Sequence, residues 1–262
     1  MRATTLMAGT VTVLVAGFLI TPTIISILAG LSESYARGPR EGLTLAWVME
    51  VCDLYADTIM RSILVALATL AITLIIGVPA AYALVRRGGR LARIIEEFVT
   101  LPVAIPGLAL ALALIIAYGG SGDLRGSTAF IVIGHVLYTL PFMLRAVIAV
   151  LAAINWQALD EGAASLGASS WQRFVDVIVP NARPGILAGA LTVVTLSIGE
   201  FNLTWMLHTP LTKTLPVGLA DSYASMRLEI ASAYTLVFLI MIMPLLLAMQ
   251  FIAHAADRRA SP

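Results

Sequence analysis

Four polar side chains interrupt two long apolar stretches of this sequence and are its first candidates for chemistry. Glu200 lies well inside one stretch, with Asn202 two residues later, and His135 and Tyr138 lie one helical turn apart in another. Polar groups inside such stretches are costly, so each is a candidate functional residue. Glu200 and Asn202 could line a path for a solute, with the carboxylate attracting a cation, or could form hydrogen bonds between helices. For His135 and Tyr138 a structural pair is the favoured interpretation, with a place on the path as the alternative.

Motifs that would indicate an enzyme do not occur in the sequence. It contains no Gly-x-x-x-x-Gly-Lys-Ser/Thr phosphate loop, no His-Glu-x-x-His motif and no nucleophile elbow. The single cysteine, Cys52, excludes an internal disulfide, and three histidines do not favour a catalytic metal site. We therefore expect no enzyme activity, no cofactor and no bound metal.

The composition places these candidates in a membrane protein. Of 262 residues, 60% are hydrophobic and 12% are charged, whereas a soluble domain has about 45–50% apolar and about 25% charged residues. Such a chain could not cover itself with polar surface in water, but lipid can solvate an apolar exterior. The net charge of +1 does not favour a nucleic-acid partner.

Six stretches are long and apolar enough to cross a bilayer as helices, which takes about 20 residues each. They cover residues 6–28, 62–85, 98–118, 129–152, 186–207 and 231–252. The sequence therefore predicts an all-α membrane protein with six transmembrane helices. The first stretch follows Arg2, as in a signal peptide, but it is long and lacks a clear cleavage site, so we expect an uncleaved helix.

The distribution of arginine and lysine predicts the orientation. Ten of the 16 basic residues lie in or near the two termini and the loops around residues 86–97 and 153–185. The richer side is normally cytoplasmic. Both termini and these two loops are therefore expected in the cytoplasm, with residues 29–61, 119–128 and 208–230 outside.

The loop after the fourth span has a helix, a break and a second helix in its pattern. Asp160 and Glu161 are acidic residues that favour a helix N-terminus, which predicts that the first helix begins near them. Gly167 interrupts the helical run and can adopt a left-handed conformation. Ser169 or Ser170 could cap the second helix.

The second helix of this loop is predicted to be short and amphipathic. Pro180 and Pro184 would end it before the next span. Such a helix either lies on the lipid surface or docks on another protein. Its apolar stripe consists of Trp171, Phe174, Val175 and Ile178.

This loop resembles the EAA loop of the inner-membrane permeases of binding-protein-dependent ATP-binding-cassette importers. The resemblance rests on the run Glu161-Gly162-Ala163-x-x-Leu166-Gly167-Ala168, followed by Phe174, Pro180 and Pro184. Gly162 departs from the family's usual alanine, which weakens the helix there by about 1 kcal/mol. Residues 77–86, 101–107 and 214–218 also resemble segments of these permeases, so the likeness extends from about residue 61 to the C-terminus.

The resemblance implies a type I importer permease fold and a set of partners. These are a dimer of cytoplasmic ATPases, a second permease that is identical or homologous, and a periplasmic or external substrate-binding protein, assembled in the bacterial inner membrane. It also implies the residues that couple to the ATPase, which are Glu161, Gly162, Ala163, Leu166, Gly167, Ala168, Trp171 and Phe174. Three regions are expected: residues 1–58 with the first helix and an external segment, a five-helix core over 59–255 with the coupling loop at 158–184, and a cytoplasmic tail over 256–262.

The sequence indicates the substrate less clearly than it indicates the fold and the partners. Residues 101–107 resemble permeases for polyamines, iron(III) and aminoethylphosphonate, and an acidic Glu200 in the path favours a cation. The alternative is a sulfate or molybdate permease, whose Gly-Glu-Phe-Gly pattern is matched at Gly199-Glu200-Phe201 but not at Asn202.

Two other classes of membrane protein fit the sequence less well than an importer permease. An intramembrane lipid enzyme would cluster its ionisable residues, and an ion-driven transporter would show inverted repeats and paired broken helices.

Overall fold

A computed structural model describes the backbone of residues 2–260 and the side chains of residues 7–248, 250 and 251. This part of the chain is almost entirely helical, and its only strand-like pairing is an isolated bridge between Ser32 and Leu43. The predicted all-α fold is confirmed. Of the predicted tail 256–262, the side chains and the last two residues lie outside the described residues.

Fourteen α-helices follow one another along the described backbone. The first seven are α1 (Arg2–Gly30), α2 (Ala46–Leu54), α3 (Ala56–Arg87), α4 (Gly89–Ala104), α5 (Gly107–Tyr118), α6 (Gly122–Arg125) and α7 (Thr128–Ala153). The others are α8 (Trp156–Ser165), α9 (Ser170–Gln172), α10 (Val179–Asn181), α11 (Arg183–Gly199), α12 (Asn202–Leu207), α13 (Leu215–Ala224) and α14 (Leu228–Ala260). A π-helical segment (Arg173–Ile178) joins α9 to α10.

Four of these helices could cross a membrane as single helices. They are α1 over Met7–Gly30, α3, α7, and α14 over Leu228–Ala248. Two bent pairs of helices raise the number of candidate spans in the described chain to six: Gly89–Ala104 with Gly107–Tyr118, bent by 107°, and Ser170–Asn181 with Arg183–Gly199, bent by 73°. Six spans are thus available, but two of them are not the straight helices that the sequence predicts.

The predicted span over residues 98–118 is divided near its N-terminal end. α4 ends at Ala104, α5 begins at Gly107, and their axes are bent by 107°. Ile105 is extended, with φ −93° and ψ 130°, because the ring of Pro106 disfavours the helical conformation of the residue before it.

The predicted span over residues 186–207 is divided as well. α11 ends at Gly199, Glu200 is extended with φ −72° and ψ 118°, and α12 begins at Asn202. The prediction that Glu200 lies well inside a span is therefore wrong. Broken helices, which the sequence pattern does not reveal, occur in the described chain after all.

The contacts divide the chain into two compact units. The first comprises Met1–Ile59 and Leu215–Met241, and the second comprises Met60–Thr214 and Ile242–Pro262. The predicted division at residues 58 and 255 stays a prediction, since this grouping rests on a different criterion.

In the first unit, the end of α1 crosses the start of α14 at Gly30. A Cβ atom at Gly30 would lie 2.6 Å from the backbone nitrogen of Ala233, so only glycine allows this approach. Ser26 and Thr235 share a hydrogen bond of 3.2 Å across the same crossing. Beside it, Arg227 pairs with Glu50, and this hydrogen bond is the main reason that the pKa of Arg227 is raised.

In the second unit, α7 and α11 pack closely along two glycines. A Cβ atom at Gly185 would lie 2.6 Å from the carbonyl oxygen of Ala146, and one at Gly189 would lie 3.2 Å from the Cα atom of Met143. Gly185 and Gly189 therefore form a small-residue crossing of the type common between membrane helices. This crossing fixes the segments that carry the candidate functional residues.

Candidate functional site

The loop between α7 and α11 is a helical hairpin with ordered turns. α8 ends in a Schellman motif, in which the amides of Gly167 and Ala168 donate to the carbonyls of Ala164 and Ala163, both at 3.0 Å. Gly167 has a φ of +84°, the left-handed conformation that the sequence predicts. The next helical segment begins with a capping box between Ser169 and Gln172, which resolves the choice of cap in favour of Ser169.

Asp160 anchors this hairpin. α8 begins at Trp156, so Asp160 lies in its middle and not at its N-terminus, contrary to the prediction. Its carboxylate accepts a hydrogen bond of 2.9 Å from the hydroxyl of Tyr82 in α3 and one of 2.9 Å from the guanidinium of Arg173. The side chains of Asp160 and Arg173 are only 9% and 14% exposed. One buried carboxylate therefore links a membrane-spanning helix to both arms of the hairpin.

Aromatic packing supports the same connection. The ring of Tyr82 lies 6.0 Å from that of Trp156 and 5.7 Å from that of Phe174. Trp171 in turn lies 6.0 Å from Phe174. Phe174 is half-buried, so its ring packs inside the hairpin and not at the exposed tip.

The tip of the hairpin presents an exposed surface of mixed character. Leu166 is 90% exposed and Trp171 is 71% exposed. Glu161, Gly162 and Gly167 are also exposed, and the two alanines of the motif are intermediate. No atom lies within 4 Å of a Cβ built at either glycine. Exposed large apolar side chains next to exposed glycines are typical of a surface that a partner protein covers.

Glu200 caps a helix. Its carboxylate accepts hydrogen bonds from the backbone amides of Leu203, at 2.9 Å, and Thr204, at 3.1 Å. These amides are among the first of α12, which have no partner inside the helix, and a negative charge also favours the helix N-terminus. The carboxylate is therefore engaged locally.

The opposite end of α12 is held by a positive charge. The guanidinium of Arg125 donates to the carbonyl oxygens of Leu207, at 2.7 Å, and Met206, at 3.3 Å. A six-residue helix is too short to be stable alone. Charged side chains at both ends therefore stabilise α12 in the orientation of its dipole.

His135 joins α7 to the same break. Its Nδ1 lies 2.8 Å from the hydroxyl of Ser197, and its Nε2 lies 2.7 Å from that of Thr204, which is 3.4 Å from a carboxylate oxygen of Glu200. A carboxylate can only accept, so Thr204 donates to it and accepts from Nε2, which leaves Nδ1 to accept from Ser197. The ring of His135 is thus buried with a partner at each nitrogen, and these partners are hydroxyls rather than Tyr138.

The two remaining path candidates are in different surroundings. Tyr138 is half-buried, with its ring 6.1 Å from that of Phe142. Asn202 is exposed at the start of α12. A Cβ atom built on Gly107, the first residue of α5, would lie 3.3 Å from both the Cβ of Asn202 and a carboxylate oxygen of Glu200. The break between α4 and α5 and the break between α11 and α12 therefore lie next to each other.

Several important residues have no motif that marks them in the sequence. Tyr82, Asp160 and Arg173 are separated along the chain, and Arg125 lies in the four-residue helix α6. The only sequence signal for the ion pair was that Asp160 and Arg173 lie 13 positions apart within one loop. Such a spacing does not indicate a contact unless the fold of the loop is known.

Several helices that could each span a bilayer, with a helical hairpin between α7 and α11, define a multi-span membrane protein. Residues 73–262 match the family described as binding-protein-dependent transport system inner membrane component. The chain belongs to this family and is a permease subunit of an ATP-binding-cassette importer in the inner membrane. It is similar to transport permeases, and this agrees with the absence of enzyme motifs from its sequence.

Named relatives transport different compounds. The chain is 31% identical over 183 residues to the molybdenum transport system permease protein ModB of Azotobacter vinelandii, covering 64% of this chain and 80% of that protein. It is 26% identical over 244 residues to the putative 2-aminoethylphosphonate transport system permease protein PhnV of Salmonella typhimurium, covering 92% of both. It is 27% identical over 191 residues to the sulfate transport system permease protein CysW of a Synechocystis species, covering 68% and 69%.

Solved transporters share the fold. A chain of a bacterial ABC transporter for the import of the acidic polysaccharide alginate superposes with a TM-score of 0.69 at 17% identity, covering all of this chain and 97% of that one. A chain of the MetNI methionine ABC transporter in an inward-facing conformation gives 0.62 at 18% identity, covering 79% and 96%. The type I importer permease fold is thereby confirmed.

Proposed function

We propose that this permease carries a small oxyanion-bearing solute inward and that the hairpin over residues 156–181 couples this transport to a cytoplasmic ATPase. The observation that supports coupling best is the pair of contacts at Asp160. Because this carboxylate binds both Tyr82 of α3 and Arg173 of the second arm, a displacement of the exposed tip would move a spanning helix with it.

The docking surface is formed by the exposed residues of the EAA-like segment. Leu166 and Trp171 provide apolar anchors, Gly162 and Gly167 allow close backbone approach, and Glu161 provides a charge at the edge. Ala163 and Ala168 lie behind them, and Phe174 supports Trp171. The hairpin and both termini would face the cytoplasm, as the excess of basic residues on that side indicates.

The assembly would follow the family pattern. Two permeases, identical or homologous, would bind two ATPase subunits on the cytoplasmic side and a substrate-binding protein on the external side. A complex of an alginate transporter with a ligand-bound periplasmic protein, matched here with a TM-score of 0.68 at 16% identity, provides the analogy. ATP binding would shift the population toward the outward-facing state.

The translocation path would pass the point where the two broken spans meet. Asn202 is exposed there, and Tyr138 is the second candidate for a contact with the solute. Glu200 and His135 would hold the break in shape from behind, because their polar atoms already have partners.

An oxyanion now fits better than a polyamine or iron(III). The preference for a cation depended on a free carboxylate at Glu200, but this carboxylate caps α12. The relatives named for molybdenum, sulfate and 2-aminoethylphosphonate support a solute with a tetrahedral anionic group. Uptake should therefore be tested with sulfate, molybdate and 2-aminoethylphosphonate, with spermidine as the control. Uptake of spermidine but of none of the three anions would exclude the oxyanion assignment.

The docking surface can be tested with two matched leucines. Leu166→Glu should weaken binding of the cognate ATPase to the permease by on the order of ten-fold or more, as expected for an anchor residue. Leu211→Glu is the control, since Leu211 is 83% exposed and lies outside the hairpin. Binding should be measured on permease in nanodiscs after membrane insertion has been verified. Equal affinities of the two variants would exclude the hairpin tip as the ATPase contact.

A further inference from the structure

The helix α4 has three distinct faces. Its exposed apolar face consists of Leu91, Ile94, Ile95, Phe98 and Leu101. A second face, which contains the buried Ala92 and the partly buried Val99, packs on the core of the second unit. The third face is polar and contains Arg90, Arg93, Glu96, Glu97 and Thr100. This division is typical of a helix that lies between a protein, a lipid phase and water.

The bend between α4 and α5 agrees with such a position. If α5 stands across the membrane, a bend of 107° places α4 close to the membrane plane. The 12 residues of α5 rise about 18 Å, and the extended Ile105 and Pro106 add about 7 Å. An interfacial helix lies about 5–10 Å deep, so these lengths together account for a hydrocarbon core of about 30 Å.

Positive charge collects at the start of this helix. Arg86 and Arg87 end α3, Arg90 and Arg93 follow in the first turns of α4, and all four side chains are exposed. Among the described side chains, no carboxylate forms an ion pair with any of them. A cleft of about 240 Å³ opens beside them, between α4 and the ends of α3 and α7, with Arg93 and Glu96 in its lining.

We infer that α4 is an interfacial helix whose apolar face lies in the cytoplasmic leaflet and whose neighbouring arginines bind the headgroups of anionic phospholipids. The charge complementarity selects this occupant: the cytoplasmic leaflet is negative and attracts basic segments next to a membrane span. Arg90 lies at the border between the apolar and polar faces, where a long side chain can reach the headgroups. Glu96 and Glu97 lie farther along the polar face, so the attraction is concentrated at the N-terminal half of α4. The leaflet assignment rests on the orientation given under the proposed function.

The depth of α4 should be measured by spin labels at each position from 91 to 101, in a Cys52→Ser background in phosphatidylcholine vesicles containing phosphatidylglycerol. An interfacial helix predicts an accessibility to oxygen that oscillates with the helical period, high at Phe98 and low at Glu97. A depth that increases steadily along α4 would show a membrane-crossing helix and overturn the inference. Loss of lipid contact at Phe98 when the ATPase is added would identify the ATPase as the occupant and overturn it as well.

The headgroup contact should be measured as the preference for spin-labelled phosphatidylglycerol over phosphatidylcholine. Arg90→Gln with Arg93→Gln should lower this preference by up to about five-fold for each arginine. The control removes two exposed arginines of the other unit, Arg37→Gln with Arg40→Gln, and should leave it unchanged. Equal effects of the two double variants would overturn the inference. A separate label at Arg87→Cys, probed with an impermeant thiol reagent, reports the orientation, so a failure of the proposed topology is distinguished from a failure of lipid binding.

Discussion

Asp160 in the hairpin and Glu200 at the break between α11 and α12 are both carboxylates with hydrogen-bond partners, but they act over different distances. Asp160 connects three segments, through Tyr82 and Arg173. Glu200 binds amides only three and four residues ahead of it. The first carboxylate can therefore transmit a displacement between elements, whereas the second stabilises one short helix in place.

The largest expected effect comes from breaking the connection at Asp160. Asp160→Asn leaves the nearly buried guanidinium of Arg173 without its counter-charge, which should lower the free energy of unfolding by about 3 kcal/mol. It should also abolish the ATPase stimulation of an assembled transporter. Thermal unfolding of the purified permease and ATPase assays measure the two effects.

Two further variants control this prediction. Asp176→Asn removes an exposed acidic side chain of the same hairpin and should change stability by less than about 0.5 kcal/mol. The double variant Asp160→Leu with Arg173→Leu removes both charges and should recover much of the lost stability, but not the coupling. If Asp160→Asn changed stability and ATPase stimulation as little as Asp176→Asn, Asp160 would not connect α3 to the hairpin, and its contrast with Glu200 would be lost.

The contrast also shows which features could be predicted from the sequence. The EAA-like spacing, the left-handed Gly167 and a serine cap are local, because each depends on residues a few positions apart, and all three were found. The spans follow from composition alone. The role of Asp160 depends on Tyr82, 78 residues earlier, and no local pattern indicates such a contact. Glu200 was misplaced because an apolar run conceals a break whose only local signal is the acidic residue itself.

The next prediction tests whether the role of Glu200 is structural. Glu200→Ala removes the acceptor for two amides of α12 and should lower the free energy of unfolding by about 1–2 kcal/mol. Glu200→Gln retains a carbonyl oxygen and should cost less than half as much. Both variants should be compared in thermal unfolding and in solute uptake. Complete loss of uptake in a stable Glu200→Gln variant would instead show that the charge itself contacts the solute.

The smallest effects distinguish two glycines in the hairpin that share an open environment. No atom lies within 4 Å of a Cβ built at Gly162 or Gly167, so packing does not separate them. Gly162 lies inside the right-handed helix α8, whereas Gly167 has a φ of +84°. Gly162→Ala should therefore raise the free energy of unfolding by about 0.5–1 kcal/mol, because alanine restricts the unfolded chain and favours the helix. Gly167→Ala should lower it by about 1 kcal/mol, because a Cβ atom strains the left-handed backbone. Opposite signs of the change in the free energy of unfolding would support the Schellman turn at the hairpin tip. Equal signs would mean that Gly167 does not hold the left-handed conformation in the folded permease.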